Sequence, residues 1–401
     1  MGCVYSKSAL KAEPEPVVPV VDKDADGLSY VGAAVYQVLQ EKHSKYHDSQ
    51  WNVTKSKMIG SIQHTPNASL FKTGEEPPEE HSNWLAIKMC EIVGKTTTWC
   101  DVMSLAAPDG FFLEQMKQAV KKVCENSKAA EKPVVIRMMF GNIIGVPINC
   151  EKLMKKLTED LPEDKNIVLW VGAWRYGATW NHAKLIAVDG KYVHTGGHNM
   201  WSDIYLNKDP IHDVSLEMEG DVAHDAHLFA NEQWKFIEEK QATWIGQMLE
   251  NMPDFLPLAS KTRVIISEYP KDTATEFAPY YDRSLVSEHS TPEGSVPVIS
   301  IGRQGTLTDT DRPADDAIIA MIESSKTIIK MSLQDVGPIT LPGKIPLPGT
   351  GWPKSYLDAL ARAIWLRGVD VEIVLSNVGA RRGYSNGWSA NDVGSEIIKR
   401  I

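Results

Sequence analysis

Hydrophobic and polar positions follow two periods along this chain, and segments of each period succeed one another in an order that recurs. The stretch "SYVGAAVYQVLQEKHSK" (29–45) places Val31, Val35, Val38 and Leu39 at helical spacing. Further on, the helical pattern "NWLAIKMCEIVG" leads to the strand pattern "KTTTWCDVMSL", and the helical "FFLEQMKQAVKKVCEN" leads to the strand "PVVIRMMFGN". After residue 297 the order returns: "ADDAIIAMIESS" to "KTIIKMSLQDV", then "SYLDALARAIWLRG" to "VDVEIVLSN". Both copies open their first strand on Lys-Thr (Lys95-Thr96, Lys326-Thr327) and close their second on asparagine (Asn142, Asn377). The pattern predicts an α/β protein of two repeated units, each a mixed sheet flanked by helices. The expected divisions are a tail and linker at 1–28, a first half at 29–250, a connecting segment at 251–297 and a second half at 298–401. The connection, rich in proline and aromatics, holds one possible strand at Arg263–Ser267.

The densest chemistry falls in "WNHAKLIAVDGKYVHTGGHNMW" (180–201). Asp189-Gly190 between two β-rich runs is the signal for a two-residue hairpin turn. Pairing Val188 with Lys191 and walking outward puts Trp180, His182, Lys184, Thr195, Gly197 and Asn199 on one face. Asp189, His194 and His198 fall on the other, which makes both of those histidines bystanders. Glycine opposite His182 leaves room for an anionic group beside an imidazole and an ammonium. An imidazole can attack phosphorus while a fixed lysine neutralises the spreading oxygen charge, without a metal or cofactor.

The pattern His182-x-Lys184-x4-Asp189-x6-Gly196-Gly197-x-Asn199 resembles the HKD signature of the phospholipase D superfamily. Gly197 stands where many members have serine, and the paired glycines resemble the secreted bacterial phospholipases D. "SLAAPDGFFLEQMKQAV", "HDVSLEMEGDVA", "SLQDV" and "GYSNGWSANDVGSEI" are similar to segments of that branch in the same order. The resemblance implies a phospholipase D-like fold over roughly residues 30–401. It implies hydrolysis of glycerophospholipids to phosphatidic acid, or transfer to an alcohol, through a phosphohistidine. In that scheme His182 is the nucleophile, Lys184 and Asn199 hold phosphate oxygens with Thr195, Gly196 and Gly197 at the rim, and Asp213 orients the histidine. Asp189 completes the signature and is expected to brace the turn from behind. Trp180 is expected to wall the substrate mouth, ahead of Trp174 and Trp201.

The superfamily site needs two such motifs, and this sequence contains one. By the repeat, the second would fall as far past Asn377 as His182 falls past Asn142, at about position 417, beyond Ile401. The expectation is a second unit cut before its motif; pairing with another HKD-bearing chain and a catalytically inactive relative are the alternatives.

Bulk properties refine the picture. The 401 residues are 43% hydrophobic and 23% charged, enough for two to three domain-sized units. A net charge of −10 argues against a broad nucleic-acid-binding face, so an HKD-type nuclease is the weaker alternative, beside a membrane-tethered phosphate-binding relative without turnover. Cysteines 3, 90, 100, 124 and 150 show no metal-ligand spacing, which predicts reduced thiols. His224 and His227, three apart on a predicted helix, are expected on a solvated face, and no metal ligands are assigned. "MGCVYSKS" fits N-myristoylation at Gly2, with Cys3 as a palmitoylation site supplying the second anchor that one myristoyl chain needs. "SALKAEPEPVVPVVDKDADG" then reads as an extended tether. The expected setting is cytoplasmic, at a membrane surface, with a phospholipid substrate and no nucleic-acid partner.

Overall fold

The computed structural model describes residues 27–66, 75, 79–128, 133–143, 148–162, 165–176, 179–206, 211–242, 248, 264–266, 280–304, 312–338, 340–341, 345–346, 350–379 and 387–401. The chain divides into two compact units, Asp48–Leu307 and a second made of Met1–His47 with Thr308–Ile401. Gly2 and Cys3, the expected lipidation sites, lie outside the described residues.

The Asp48–Leu307 unit is built on one large mixed sheet. Its strands are β1 Trp51–Thr65, β2 Trp99–Ser104, β3 Val134–Gly141, β4 Ile167–Tyr176, β5 Thr179–Trp180, β6 Leu185–Val188, β7 Tyr192–Gly196, β8 Asp213–Gly220, β9 Val264–Ile266 and β10 Val296–Ile301. They lie in the order β10-β1-β8-β7-β6-β2-β3-β4, with β5 and β9 also against β4. β2, β3 and β4 run parallel, and β6 turns antiparallel onto the free edge of β2. Strands buried on both faces read as continuous apolar runs, as "VVIRMMFG" does. Alternate residues serve opposite cores. Cys100, Val102, Ile136, Met138 and Phe140 pack with the first helices of this unit, which lie at Glu79–Val93, Gly110–Ser127 and Cys150–Thr158. Trp99, Met103, Val135, Met139, Trp170 and Trp174 pack with Ala223, Ala230, Trp234 and Ile237 of the long helix Val222–Ala242.

In chain order the helices are α1 Tyr30–His43, α2 Glu79–Val93, α3 Gly110–Ser127, α4 Cys150–Thr158, α5 Ser202–Tyr205, α6 Val222–Ala242, α7 Pro313–Ser324, α8 Lys354–Arg367 and α9 Ala390–Ile398. The second unit contains α1, α7, α8, α9 and two strand pairs: β11 Ile328–Leu333 with β14 Asp370–Leu375, and the ribbon of β12 Thr340–Leu341 with β13 Ile345–Pro346. β11 and β14 are parallel, like β2 and β3. Gly368 ends α8 in the left-handed conformation (φ 67°), and Ser389 with Asp392 forms a capping box at the start of α9.

The expected helix–strand–helix–strand order is present in both places. The divisions drawn from sequence are not the ones the structure follows. α1 buries Ala34, Val35, Tyr36 and Leu39 in the second unit, where His43 meets Asp316 at 2.9 Å, rather than joining the first half. β10, at the expected start of the second half, pairs with β1 of the large sheet, residue Trp51 opposite Ile301. The strand foreseen at Arg263–Ser267 is β9. β1 itself was not foreseen: its burial pattern leaves most positions exposed or half-exposed, so no apolar face announces it.

The hairpin turn is where the dipeptide predicted it, with Asp189 and Gly190 both at positive φ (52° and 64°) and Lys191 N donating to Val188 O at 2.9 Å. The register is shifted by one residue. Val188 pairs with Tyr192 and Leu185 with Thr195, because Lys191 is left as an extra residue after the turn. Since side chains alternate, the slip puts Leu185, Ala187, Val193 and Thr195 on one face and moves Lys184 off the strand. β6 begins only at Leu185, so 181–184 is a non-strand segment and the face predicted for its side chains does not apply to it.

Candidate active site

Asn181 holds the segment that carries His182 and Lys184. Its Nδ2 donates to Ser104 O (3.3 Å) and Met139 O (3.4 Å), at the ends of β2 and β3, and its Oδ1 accepts from Ala183 N (3.1 Å). The approach is close enough that a Cβ on Gly141 would lie 2.3 Å from Asn181 O and 2.7 Å from Leu105 O. Glycine at the end of β3 therefore lets the histidine segment cross the carboxyl ends of the parallel strands. Neither residue was singled out from sequence; "NH" and "GN" carry the signal only once the strands are aligned.

The segment opens onto a cavity of about 680 Å³ lined by His182, Lys184, Thr195 and Gly196 among apolar walls that include Trp174, Trp180 and Phe229. The His182 imidazole is exposed to this space and has no hydrogen-bond partner among the described residues. Partial burial, helped by the Lys184 ammonium, lowers its pKa to about 4, so it stands neutral with lone pairs available at physiological pH. Lys184 donates to His182 O at 2.7 Å and is lowered to about 8 by burial, against the pull of Asp213. Thr195 Oγ1 donates to Lys184 O at 2.9 Å.

Other expected site residues are placed differently. Asp213 accepts from the Tyr205 hydroxyl at 3.0 Å and from Val214 N at 3.3 Å, and faces Lys184; no hydrogen bond joins it to His182. Burial raises its pKa, with Tyr205 the largest opposing influence. The missing side chain at Gly197 serves this carboxylate: an added Cβ would sit 1.6 Å from Asp213 Oδ1. The space expected there for a substrate anion is taken by Asp213. Asn199 is buried, and its Oδ1 accepts from Leu105 N (3.2 Å) and Ser104 Oγ (3.4 Å), which fastens β7's exit to the end of β2. Asp189 lies outside the cavity lining and accepts from Thr97 N, Thr97 Oγ1, Thr98 N and Trp99 N at 2.8–2.9 Å, a brace behind the turn. His194 and His198 are buried: His194 Nε2 meets Gln63 Oε1 at 3.0 Å, and His198 bridges Thr65 and Ser215. Trp201 packs against the core of α2–α4 instead of the cavity, whereas Trp174 joins Trp180 there.

His224 and His227 do not occupy a solvated helix face. Both are buried against the hairpin turn. Gly190 N donates to His227 Nε2 (3.2 Å), which leaves the ring proton on Nδ1 to donate to Asp101 Oδ2 at 2.6 Å. Asp101 also receives Arg137 Nε (2.6 Å) and Nη2 (2.8 Å) and Trp99 Nε1 (3.0 Å). Burial raises the Asp101 pKa, but Arg137 and His227 more than offset it and the carboxyl is held below its ordinary value. Cys90, Cys100, Cys124 and Cys150 are buried and not in disulfides, and desolvation pushes Cys90 up to about 12, the state of inert thiols. No described helix is long and apolar enough to cross a membrane.

No family model matches the chain. It is 24% identical over 422 residues to the phospholipase D of Streptomyces antibioticus, covering 92% of this chain and 70% of that enzyme. Among solved structures, it is similar to the phospholipase D family member Nuc from Salmonella typhimurium (12% identity, TM-score 0.29, 45% of this chain and 95% of that one). It is also similar to the phosphatidylserine synthase of Haemophilus influenzae (12% identity, TM-score 0.44, 91% and 71%). The similarity to the Streptomyces enzyme runs over most of this chain, and His182, Lys184, Asp189 and Asn199 stand at the spacing of the phospholipase D superfamily signature, which supports a likeness to that superfamily.

Proposed function

We propose that the protein is a phospholipase D-type phosphodiesterase whose substrate is a glycerophospholipid. The observation that carries this reading is the cavity in which a neutral, unpartnered His182 imidazole and the Lys184 ammonium stand over an apolar wall containing Trp174, Trp180 and Phe229. A phosphodiester has an anionic centre for the lysine, and a lipid has hydrocarbon for the wall. His182 attacks phosphorus, the phosphorus–oxygen bond to the head-group alcohol breaks, and Lys184 offsets the charge that spreads over the equatorial oxygens. Water or an alcohol then takes the phosphatidyl group from the imidazole. The proton for the departing alcohol comes, in this reading, from a second histidine of the superfamily motif, on a further segment or another chain. Asp213 keeps Lys184 charged, and Asn199 fixes the floor at the end of β2. Acylation at Gly2 and Cys3 would hold the enzyme at its substrate's surface.

The test is release of phosphatidic acid and head group from phosphatidylcholine vesicles beside cleavage of single-stranded DNA. Wild-type hydrolysis of lipid, lost at least about 10³-fold in His182→Asn, supports the reading. Cleavage of DNA with no action on lipid refutes it in favour of a nuclease. Phosphate-ester binding without turnover of either refutes it in favour of a binding protein. Separately, Gly2→Ala should leave membranes on fractionation.

A further inference from the structure

Asp221, His224 and His289 come together at the far end of the hairpin from His182, on three different parts of the Asp48–Leu307 unit. Asp221 stands just before α6, His224 lies in its first turn, and His289 is in the loop that follows the 3₁₀ turn Arg283–Leu285. One ligand atom from each lies within 4.8 Å of the other two. We propose that these three residues form a binding site for a divalent transition-metal ion of the zinc type, which clips the His289 loop to α6 and the hairpin turn.

Four observations support the assignment. First, His289 Nε2 is buried yet has no hydrogen-bond partner among the described residues, a cost normally avoided unless something else meets the nitrogen. Second, His224 is arranged as metal-bound imidazoles are, with one ring nitrogen fixed by an outer partner: its Nδ1 is hydrogen-bonded to the Tyr281 hydroxyl, and its Nε2 faces Asp221 at 3.9 Å. Third, Asp221 Oδ1, the oxygen that faces His224 Nε2, accepts from Arg283 at 2.8 Å, which orients the carboxylate as an outer partner does. Fourth, a cavity of about 190 Å³ lined by Asp221, His224, Asp225, Tyr281 and Arg283 opens beside two of the three residues and supplies an entry path.

Two imidazoles and a carboxylate are the donor set that suits zinc and its neighbours, whereas calcium and magnesium want oxygen alone. Bonds of about 2.0–2.1 Å in a tetrahedron put ligand atoms roughly 3.3 Å apart, so the cluster must contract on loading. The loop around His289, exposed from Ser287 to Glu288 and again at Ser290, can supply that contraction. The ion would sit against the turn itself, since a Cβ on Gly190 would lie 2.2 Å from His224 Cε1. Its role is therefore a structural clip on the catalytic hairpin.

The experiment titrates the chelator-stripped full-length chain with Zn²⁺ by calorimetry, and with Co²⁺ by visible absorption. The expected result is one Zn²⁺ per chain, a raised melting temperature, and Co²⁺ bands of a low-coordinate site with imidazole ligands. His289→Ala, on an exposed loop, and Asp221→Asn should each weaken Zn²⁺ binding at least about 10-fold and abolish the thermal shift while the circular dichroism stays native. His182→Asn should bind Zn²⁺ as wild type does. No stoichiometric uptake, uptake unchanged in both ligand variants, or uptake lost in His182→Asn would each overturn the proposal.

Discussion

β2–β3 and β11–β14 are the same local design, a parallel pair with a helix before each strand, yet they differ in what surrounds them. β2 and β3 are buried at every position, covered by α2–α4 on one face and α6 on the other and flanked by β6 and β4. β14 alternates between exposed and half-buried positions and β11 buries only Ile329, and among the described residues the two pair only with each other. Each pair carries one cross-strand ion pair in register. Asp101 opposite Arg137 is fully buried and tied to His227. Lys330 opposite Glu372 spans 3.1 Å with both side chains largely in solvent. A repeated backbone thus supplies a platform, and what the platform does depends on the layers added to it. In the first copy the hairpin β6–β7 joins the edge of β2, and the buried ion pair reaches through His227 to Gly190 at its turn.

The largest effect that separates the two copies is the loss of that buried pair. Asp101→Asn leaves the Arg137 charge without its counter-ion and is expected to cost about 3–5 kcal/mol of unfolding free energy, read from the shift in denaturant midpoint. A cost under 1 kcal/mol would mean that the two copies do not differ in this way. Because the network ends at the turn, the same variant should show faster amide exchange at Gly190 and Lys191 than at β3.

A smaller effect concerns the chemistry proposed for the first copy. His182 is held near 4 and Lys184 near 8, so the reactive pair, neutral imidazole beside charged ammonium, exists between those values. The rate should rise with pH through about 4 and fall through about 8. Asp213 raises the lysine pKa, so Asp213→Asn should move the alkaline limb below 8 while the acid limb stays. An upward move would show that Asp213 does not face the ammonium in solution.

Much of this was legible in the sequence, for reasons that also explain what was not. The helices and strands of both copies were readable because their apolar periods are strong, and the turn because Asp189-Gly190 suits two successive positive φ angles. The register was missed by one residue because nothing in "DGKY" shows that Lys191 is bulged out. α1 looked like part of the first half because sequence order cannot reveal which core an amphipathic helix joins. The parts of the site set by distant contacts were hidden altogether: Asp101 meets Arg137 across 36 residues and His227 across 126, and Gly197 is glycine for the sake of Asp213. His182 and Lys184 could be singled out because their signature is local, whereas the residues that position them are not.

The smallest predicted effect is the most direct check on the comparison, because it concerns the matching strand pair. Lys330 and Glu372 are on average more than half exposed, so water screens their attraction, and holding two long side chains together costs rotamer entropy. Glu372→Gln is therefore expected to change unfolding free energy by less than about 1 kcal/mol, and the difference should vanish at 1 M salt, where the screening length is about 3 Å. The buried Asp101 pair should be nearly indifferent to the same salt. If Glu372→Gln instead costs as much as Asp101→Asn and resists salt, the outer face of β11–β14 is covered in solution by another layer. The second platform would then be as enclosed as the first, and the contrast between the copies would fall.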